Sequence, residues 1–434
     1  MKINQNIYYQ KTLKRLNNKE STIALVGLGY VGLPLALAFS KNGYQILGID
    51  IDQGKINSLN NSKSYISYIP DKDINIAKKN CLFTSDFSKI EEADAIIICV
   101  PTPLSKYREP DLSYILMSID KMIPYLRKGH IISLESTTFP GTTKEIIKPI
   151  LEKEKFKVGD DLFLIYSPER YDPGNKTYNT KNTPKIFGGC TELCNKLGFS
   201  LYKNIIDELI PVSSTEAAEM AKLVENIQRA VNIGLVNELK ILTDKMNLNI
   251  DIYEVIKAAS TKPFGFTPYY PGPGLGGHCI PVDPFYLTWK VKQFNLQTKF
   301  IDLAGEINSY MPQFVLEKTS EVLNNQGKSI KNAKILLLGL TYKKNIEDIR
   351  ESPALTIFEL LISKGAMVEF SDPFLPKYKN KESITLTRVN LSNFNLTILL
   401  TDHDLFNYRD IEDYSNLIID TRGRYKTSKK IYRA

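Results

Sequence analysis

Cysteine, histidine and tryptophan are scarce in this chain of 434 residues, with five, three and one copies. So few cysteines, in an odd number, argue against a disulfide framework and predict a reducing compartment, the cytoplasm. Cys190 and Cys194 have no second Cys/His pair at zinc spacing, so no metal site is predicted. No apolar run approaches the roughly 20 residues that span a bilayer, so a membrane protein is not expected.

The first 20 residues also lack the apolar stretch and cleavage site of a secretory signal, and we expect a solvated arm there. The net charge is +8. The lysines and arginines of the chain lie among acidic residues and are not clustered on one predicted helix, so nucleic acid is not an expected partner. A mildly basic chain suits a phosphorylated small substrate instead.

What the chain does contain is a strand, helix and strand pattern near its start. A buried-strand run begins at Thr22, a helix ends at Gly43, and a second strand ends at Asp50. Further strand-like runs are at residues 93–100, 130–135 and 162–166. Strands that alternate with helices predict a mostly parallel sheet covered on both faces, which is an α/β fold.

The first turn of this pattern, residues 27–32, has the sequence GLGYVG and matches GxGxxG. Glycines there permit a tight turn and a close approach of a pyrophosphate to the helix N-terminus. Asp50 is expected to bind the adenosine ribose and to repel a 2′-phosphate, so NAD is predicted rather than NADP. The alternative is a glycine turn in an α/β protein that binds no nucleotide.

After Pro211 the pattern changes. Ser213 and Glu216 have the spacing of a capping box and begin a predicted helix of about 45–50 Å, at 1.5 Å per residue. Apolar residues on more than one side of this helix indicate burial against another element or a partner subunit.

A second α/β pattern begins near Lys334, and its Gly365 and Asp372 fall where Gly43 and Asp50 fall in the first. The predicted fold is therefore two Rossmann-like, doubly wound parallel sheets joined by a long helix and a helical middle domain. The predicted domains are 1–210, 211–325 and 326–434.

An irregular loop is predicted at 263–289, PFGFTPYYPGPGLGGHCIPVDPFYLTW, from its glycines and prolines. Its aromatic residues indicate a ligand loop rather than disorder. Cys279 in this loop is a candidate nucleophile toward an aldehyde, and His278 a candidate activator of its thiol. The alternative for Cys279 is a small buried thiol.

Two further polar groups are candidates for ligand binding. Lys222, Asn226 and Arg229 lie at i, i+4 and i+7 on the long helix, hence on one face. Tyr342–Lys344 and Arg350 stand at the first turn of the C-terminal pattern, where cations can hold a diphosphate by charge. A solvated polar stripe and a solvated basic loop are the respective alternatives.

Together these motifs resemble the UDP-glucose/GDP-mannose dehydrogenase family from about Thr22 to Arg424. The matching segments are GLGYVGLPLA, VPTP, ESTTFPG, SPER, AKLVENIQRAVNIGLVNE, GPGLGGHCIPVD and KKNIEDIRESP. The resemblance implies a four-electron oxidation of a UDP-sugar C6 alcohol to a carboxylate, with two NAD⁺ and one water, through a thiohemiacetal and a thioester on Cys279. It also implies a homodimer or higher oligomer.

The Cys279 loop is most similar to the branch of this family that oxidises UDP-N-acetylhexosamines, which makes UDP-N-acetylglucosamine the expected substrate. UDP-N-acetylmannosamine, UDP-N-acetylgalactosamine and UDP-glucose are the alternatives. The UDP-glucose branch has a second acid where this chain has Pro173. A different class is a non-catalytic, NAD-responsive binding protein in which Cys279 is structural.

The resemblance also implies roles for individual residues. In catalysis, Lys222 and Asn226 stabilise an oxyanion, Asp283 assists proton transfer, Thr138 positions water and Glu169 assists thioester hydrolysis. The expected NAD contacts are Gly27, Gly29, Tyr30, Val31, Gly32, Asp50, Thr102, Thr138 and Arg350. The expected UDP-sugar contacts are Glu169, Arg170, Tyr171, Lys222, Asn226, Arg229, Gly276, Tyr342 and Lys343.

Overall fold

The computed structural model describes residues 6–66, 68–105, 109–170, 177–246, 248, 250–277 and 280–434. The chain forms two units, which consist of Met1–Glu225 with Phe285–Phe294 and of Asn226–Pro284 with Asn295–Ala434. The division into three domains at residues 210 and 325 stays a prediction. Over the described ranges, no helix has both the length and the apolar character needed to cross a membrane.

An eight-stranded sheet forms the centre of the first unit, in the order β3-β2-β1-β4-β5-β6-β7-β8. Its strands are β1 Thr22–Val26, β2 Gln45–Ile49, β3 Cys81–Thr84, β4 Ala95–Ile98, β5 Ile131–Leu134, β6 Phe163–Tyr166, β7 Lys185–Gly189 and β8 Leu209–Pro211. All neighbours pair in parallel except β6 and β7. Strands β4, β5 and β6 are buried at every residue, as expected for a sheet covered on both faces.

Helices connect these strands, and the predicted βαβ unit is confirmed. They are α1 Ile7–Asn17, α2 Gly32–Lys41, α3 Gln53–Asn60, α4 Asp71–Ala77, α5 Ser113–Met122, α6 Lys148–Lys153 and α7 Glu192–Tyr202. Shorter helical segments are the 3₁₀ turns Phe87–Glu92, Ile123–Tyr125 and Lys292–Phe294 and a π-helix at Thr142–Ile147.

The prediction of a solvated N-terminal arm is wrong from residue 6 onward. The Asn6 side chain accepts a hydrogen bond from the Tyr9 backbone N–H at 2.9 Å and caps α1. Tyr9, Thr12 and Leu16 lie on one face of the helix and are buried. Burial of this face attaches the helix to the first unit, where the Tyr9 ring meets Phe163 edge to face at 6.2 Å.

The long predicted helix is present. This helix is α8 Thr215–Lys245, and it is followed along the chain by α9 Ile252–Ala259 and α10 Asp283–Val291. The 31 residues of α8 give a length of about 47 Å at 1.5 Å per residue. Its cap is one residue later than predicted, because Ser214, not Ser213, accepts from the backbone N–H of Ala217 at 3.1 Å. Glu216 binds Lys144 at 2.9 Å instead of closing a capping box.

The second unit has a five-stranded parallel sheet in the order β10-β9-β13-β14-β15 and a small antiparallel β11-β12 pair. Its strands are β9 Lys334–Leu338, β10 Met367–Ser371, β11 Lys377–Tyr378, β12 Lys381–Glu382, β13 Leu396–Leu399, β14 Ile418–Asp420 and β15 Ile431–Arg433. Its remaining helices are α11 Lys299–Asn324, α12 Pro353–Ser363, α13 Arg388–Ser392 and α14 Tyr408–Tyr414. The prediction of two Rossmann-like sheets is confirmed.

The two sheets use the same hydrogen bond at their first turn. In the first sheet the backbone N–H of Leu28 donates to Asp50 Oδ2 at 2.8 Å. In the second sheet the N–H of Leu340 donates to Asp372 Oδ2 at 2.7 Å. In each sheet the aspartate follows the second strand of the pattern and accepts a hydrogen bond from the turn after the first strand. The similar spacing of the two sequence patterns therefore corresponds to the same local structure.

Candidate active site

The glycine turn combines tight packing with an open side. A Cβ atom at Gly27, whose φ is +93°, would lie 2.7 Å from the carbonyl oxygen of Cys99, and one at Gly32 would lie 1.9 Å from that of Gly27. At Gly29 no heavy atom lies within 4 Å of the Cβ position. Gly27 and Gly32 are therefore needed for packing, while Gly29 leaves room for a diphosphate beside the N-terminus of α2.

Asp50 is buried at the end of β2 and is the acceptor for this turn. Its Oδ2 accepts from the Leu28 N–H at 2.8 Å, and its Oδ1 accepts from the Asp52 N–H at 2.9 Å. Lys55 Nζ lies 3.2 Å from Oδ2. The carboxylate is thus fixed in orientation where a ribose hydroxyl is expected. Lys55 was not predicted, although its place one helical turn beyond Asp50 and Asp52 was a usable signal.

Three other predicted NAD contacts lie at the same edge of the first sheet. Tyr30 is partly exposed in the glycine turn, and Val31 immediately precedes α2. Thr102 is buried after β4, the neighbour of β1, and its carbonyl accepts from the Tyr286 hydroxyl at 2.8 Å. Because neighbouring parallel strands end at one edge, these residues belong to the crevice where such sheets bind ligands.

Thr138 follows β5, the next strand along the same edge, and is fully buried. Within the described ranges its hydroxyl has no hydrogen-bond partner. Leaving a buried hydroxyl unpaired costs about 1–3 kcal/mol. A water or ligand atom as its partner fits the predicted role of this residue.

The loop after Thr138 is held by a residue that the sequence did not reveal, Glu219 of α8. Its carboxylate accepts from the N–H of Gly141 at 2.7 Å, and from the N–H and hydroxyl of Thr143 at 2.9 and 2.7 Å. Burial raises the pKa of Glu219 to about 7, against the lowering effect of these hydrogen bonds. Glu219 therefore fixes the backbone on which Thr138 stands.

Lys222 and Glu169 meet in the first unit. Lys222 Nζ donates to the backbone carbonyl of Glu169 at 2.8 Å. The neighbouring Arg170 donates to the Pro184 carbonyl at 2.8 Å and forms an ion pair with Glu225 at 2.7 Å. The structure thus brings three predicted site residues together on the turn after β6.

In the second unit, Asn226 and Asp283 form a buried pair. The Asn226 amide donates to Asp283 Oδ2 at 2.5 Å, and Asp283 is the first residue of α10. Arg229, three residues beyond Asn226, is exposed. A buried carboxylate held by an amide donor can take up and release a proton at a fixed position.

The glycines that precede the cysteine pack against the first turn of the second sheet. A Cβ at Gly276 would lie 2.5 Å from the Cβ of Tyr342, and Gly277, with φ +87°, donates to the Arg350 carbonyl at 3.1 Å. The Arg350 guanidinium is bound to Asp348 at 2.6 Å. Gly276, Tyr342 and Arg350 are therefore neighbours, as a shared ligand site requires.

The adjacent cations differ in their surroundings. Lys343 is half-buried, and Lys344 is exposed and bound to Asp404 at 3.1 Å. The charge near this turn is thus partly neutralised by acids of the second unit. Cys279, His278 and Tyr171 lie outside the described residues, as does Pro173.

A further residue missed in the sequence is Asn237, which is buried on α8. It accepts from the Gly272 N–H at 3.0 Å and donates to Asn308 at 2.8 Å. Asn237 therefore fixes the start of the glycine-rich segment that leads to Cys279. Its signal was its place three helical turns after Asn226, on the same face.

Comparisons with known proteins cover most of the chain. Sequence models of the UDP-glucose/GDP-mannose dehydrogenase family match as its NAD binding domain at 21–206, its central domain at 216–310 and its UDP binding domain at 336–427. The UDP-N-acetyl-D-glucosamine 6-dehydrogenase of Salmonella typhi is 34% identical over 399 residues, covering 91% of this chain and 92% of the relative.

Two other similar proteins carry a different substrate in their names. The UDP-N-acetyl-D-mannosamine dehydrogenase of Methanococcus maripaludis (strain C7) is 33% identical and covers 88% of this chain and 86% of its own. The solved structure of the UDP-D-ManNAc dehydrogenase of Pyrococcus horikoshii has a TM-score of 0.85 at 30% identity, covering 95% of this chain and 98% of its own.

Proposed function

The chain belongs to the UDP-glucose/GDP-mannose dehydrogenase family and is an NAD-dependent UDP-sugar dehydrogenase, and we propose that it oxidises a UDP-N-acetylhexosamine at C6. The substrate proposed first is UDP-N-acetylglucosamine, converted to its uronic acid for polysaccharide synthesis. The observation that carries this choice is the match to the Salmonella typhi enzyme over nearly the whole length of both chains. Pro173, in place of the second acid of the UDP-glucose branch, also supports it.

UDP-N-acetylmannosamine is the second candidate, because relatives named for that sugar match at almost the same identity. The test is a panel of UDP-N-acetylglucosamine, UDP-N-acetylmannosamine, UDP-N-acetylgalactosamine and UDP-glucose, with NADH absorbance as the readout. We expect the highest kcat/KM with UDP-N-acetylglucosamine. A clear preference for the mannosamine epimer would replace the first candidate, and a preference for UDP-glucose would refute both.

NAD, when bound, supplies the hydride acceptor for both oxidation steps. We propose that the glycine turn holds its diphosphate, since the space beside Gly29 is open and the turn leads directly into the N-terminus of α2. Asp50 then accepts hydrogen bonds from the adenosine ribose and disfavours NADP by its charge. The remaining proposed contacts are Tyr30, Val31, Thr102, Thr138 and Arg350.

Cys279 is the proposed nucleophile. Its sulfur adds to the aldehyde carbon left by the first oxidation, and the second oxidation converts this adduct to a thioester, which water hydrolyses. Holding the aldehyde covalently prevents its escape between the two steps.

The other proposed catalytic residues are Lys222 and Asn226 for the oxyanion, Asp283 for proton transfer, Thr138 for the water and Glu169 for hydrolysis. The UDP-sugar is proposed to contact Arg170, Tyr171, Arg229, Gly276, Tyr342 and Lys343 as well as Glu169, Lys222 and Asn226.

Replacing the cysteine tests this mechanism. Cys279→Ala is expected to abolish the formation of two NADH per UDP-sugar while NAD binding and folding are kept. Cys81→Ala, a matched exchange in strand β3, is expected to leave turnover intact. Full four-electron turnover in Cys279→Ala would refute the covalent scheme, and no turnover of any UDP-sugar by the wild type would favour a non-catalytic NAD-binding protein.

We further propose that a second copy of this chain covers an exposed apolar row on α8. Leu235, Leu239 and Leu242 of α8 are exposed, as is Met246 directly after its last residue, and their spacing of four, three and four residues places them along one face. Such rows are typical of helices that pack against another helix. Wild-type protein should sediment as a dimer or larger, and Leu239→Glu with Leu242→Glu should dissociate it; a monomeric wild type would refute the proposal.

We propose three domains with separate roles. Residues 1–210 bind NAD, residues 211–325 form a helical connector with the cysteine loop, and residues 326–434 bind the UDP-sugar. The segments matched by the three family models support these bounds. The small, odd number of cysteines supports a cytoplasmic enzyme.

A further inference from the structure

A lysine in the first unit is buried between two glutamates. Lys185 Nζ lies 2.8 Å from Glu135 Oε2 and 3.6 Å from Glu169 Oε2, and the Lys185 side chain is 5% exposed. Glu135 follows β5 and Glu169 follows β6. Because β7 pairs antiparallel with β6, its first residue, Lys185, lies at the edge where β5 and β6 end. The sheet topology therefore creates this cluster.

Glu135 is the structural partner of this lysine. It is fully buried, and its other oxygen accepts from the Tyr202 hydroxyl at 2.6 Å. Tyr202 also shares a hydrogen bond of 2.7 Å with Ser133. Burial alone lowers the pKa of Lys185, but the charges of Glu135 and Glu169 raise it above its ordinary value. Lys185 is thus a buried charged group, and its ion pair with Glu135 offsets the free-energy cost of burying that charge.

Glu169 is the less buried end of the cluster, with 14% of its side chain exposed. Its three oxygens each have a neighbour. The backbone oxygen accepts from Lys222 Nζ at 2.8 Å, Oε1 accepts from the Arg170 N–H at 2.8 Å, and Oε2 faces Lys185. Lys185 therefore supplies a cation to this carboxylate, and it contacts Oε2 from the buried side of the cluster.

We propose that Lys185 is a positioning residue that holds the Glu169 carboxylate for thioester hydrolysis, an inference that rests on the proposed function. In this step a water oxygen bonds to the thioester carbonyl carbon, and a water proton passes to Glu169. The C–S bond breaks with its electron pair on the Cys279 sulfur, which takes up the proton. The product acid releases its own proton to solvent. Lys185 acts through Glu169 and touches no reacting atom.

The variants that test this are Lys185→Met, Lys185→Arg and Glu169→Gln, with Lys196→Met on the surface of α7 as the matched control. Lys185→Met is expected to retain a rapid burst of two NADH per site, while steady-state kcat falls about 100-fold from the misplaced carboxylate. Because only the step after thioester formation is slowed, KM for the UDP-sugar should fall together with kcat, and kcat/KM should change little. Mass spectrometry after acid quench should find the sugar bound to the protein, and Lys185→Arg should recover much of kcat.

Coupling between the two residues is the decisive readout. If Lys185 acts through Glu169, adding Lys185→Met to Glu169→Gln causes no further loss of kcat. Additive losses, an equal loss of burst and steady-state rates, or a raised KM at unchanged kcat would each overturn the inference. If Lys185→Met does not fold, Lys185→Met with Glu135→Gln removes the buried pair together and is measured in the same way. The proposed function is checked separately, by two NADH per sugar in the wild type and their loss in Cys279→Ala.

Discussion

Asn226 donates its side-chain amide to the carboxylate of Asp283 at 2.5 Å, and both side chains are buried. The bond joins the long helix α8 to the first residue of α10, four residues after Cys279 in the sequence. The donor holds the carboxylate in one orientation, so two predicted catalytic residues act as one structural pair.

Asp283→Asn removes the negative charge of this pair and keeps its hydrogen bond. The amide oxygen of the new residue can still accept from Asn226, so thermal stability should stay close to that of the wild type. Loss of a residue that transfers protons typically lowers kcat by about 100-fold or more. NADH formation under saturating substrate measures this loss, and wild-type kcat in Asp283→Asn would remove Asp283 from the chemistry.

Lys222→Met is expected to lower kcat by about 100- to 1000-fold, because a charged donor to the oxyanion is lost. Lys222→Arg keeps the charge and should retain more activity than Lys222→Met. The hydrogen bond of Lys222 to the Glu169 carbonyl predicts that both variants also loosen this turn. A Lys222→Met enzyme with normal kcat and only a raised KM would show that Lys222 binds the substrate without stabilising the transition state.

Two residues of α1 provide a matched test of the N-terminal helix. Tyr9 is 4% exposed, whereas Ile7 on the same helix is 79% exposed. Tyr9→Ala should destabilise the protein by about 3 kcal/mol, as expected when a buried aromatic side chain is removed. Ile7→Ala should change stability by about 0.5 kcal/mol or less. Urea unfolding measures both, and equal effects would mean that α1 does not pack as described.

His130 predicts a dependence of stability on pH. It is fully buried, its Nδ1 accepts from the Arg127 N–H at 3.1 Å, and burial lowers its pKa from 6.5 to about 4. In the unfolded chain His130 takes up a proton near pH 6.5, whereas in the folded chain it does so only near pH 4. The contribution of neutral His130 to the free energy of unfolding is therefore complete above pH 6.5. It is lost as the pH falls to 4, by up to about 3 kcal/mol.

His130→Asn is the control for this effect, because its amide oxygen can accept in place of Nδ1 but does not titrate. Urea midpoints between pH 7 and 4 should fall less steeply for His130→Asn than for the wild type. Parallel curves for the two proteins would assign the acid sensitivity to other groups.

Regular, local patterns were predictable from the sequence. The strand at Thr22, the helix that ends before Gly43 and the acid at Asp50 follow from hydrophobic runs and turn residues, and the structure contains them. The arm at α1 was misjudged because its buried face consists of Tyr9, Thr12 and Leu16, which are spaced for a helix but flanked by charged residues. Amphipathic spacing was the better guide there than charge.

The site was predictable only where a motif fixes a local geometry. The glycine turn and Asp50 are of this kind. The helical positions of Lys55 and Asn237 were usable signals, although they did not identify the partners of these side chains. Glu219 depends on contacts between elements distant in sequence, such as the bond from Gly141 to Glu219, and no local pattern encodes it. The antiparallel β7, which places Lys185 beside Glu169, also follows from sheet pairing and not from its own residues.

The carboxylate of Asp50 has consequences for any attempt to change the coenzyme of this enzyme. A neutral residue at this position would remove the charge that is proposed to disfavour a 2′-phosphate, but it would also leave at least one of the Leu28 and Asp52 amides without its acceptor. A redesign for NADP therefore first needs a new hydrogen-bond acceptor for these amides. Only then can the charge that faces the ribose be changed to alter the preference between NAD and NADP.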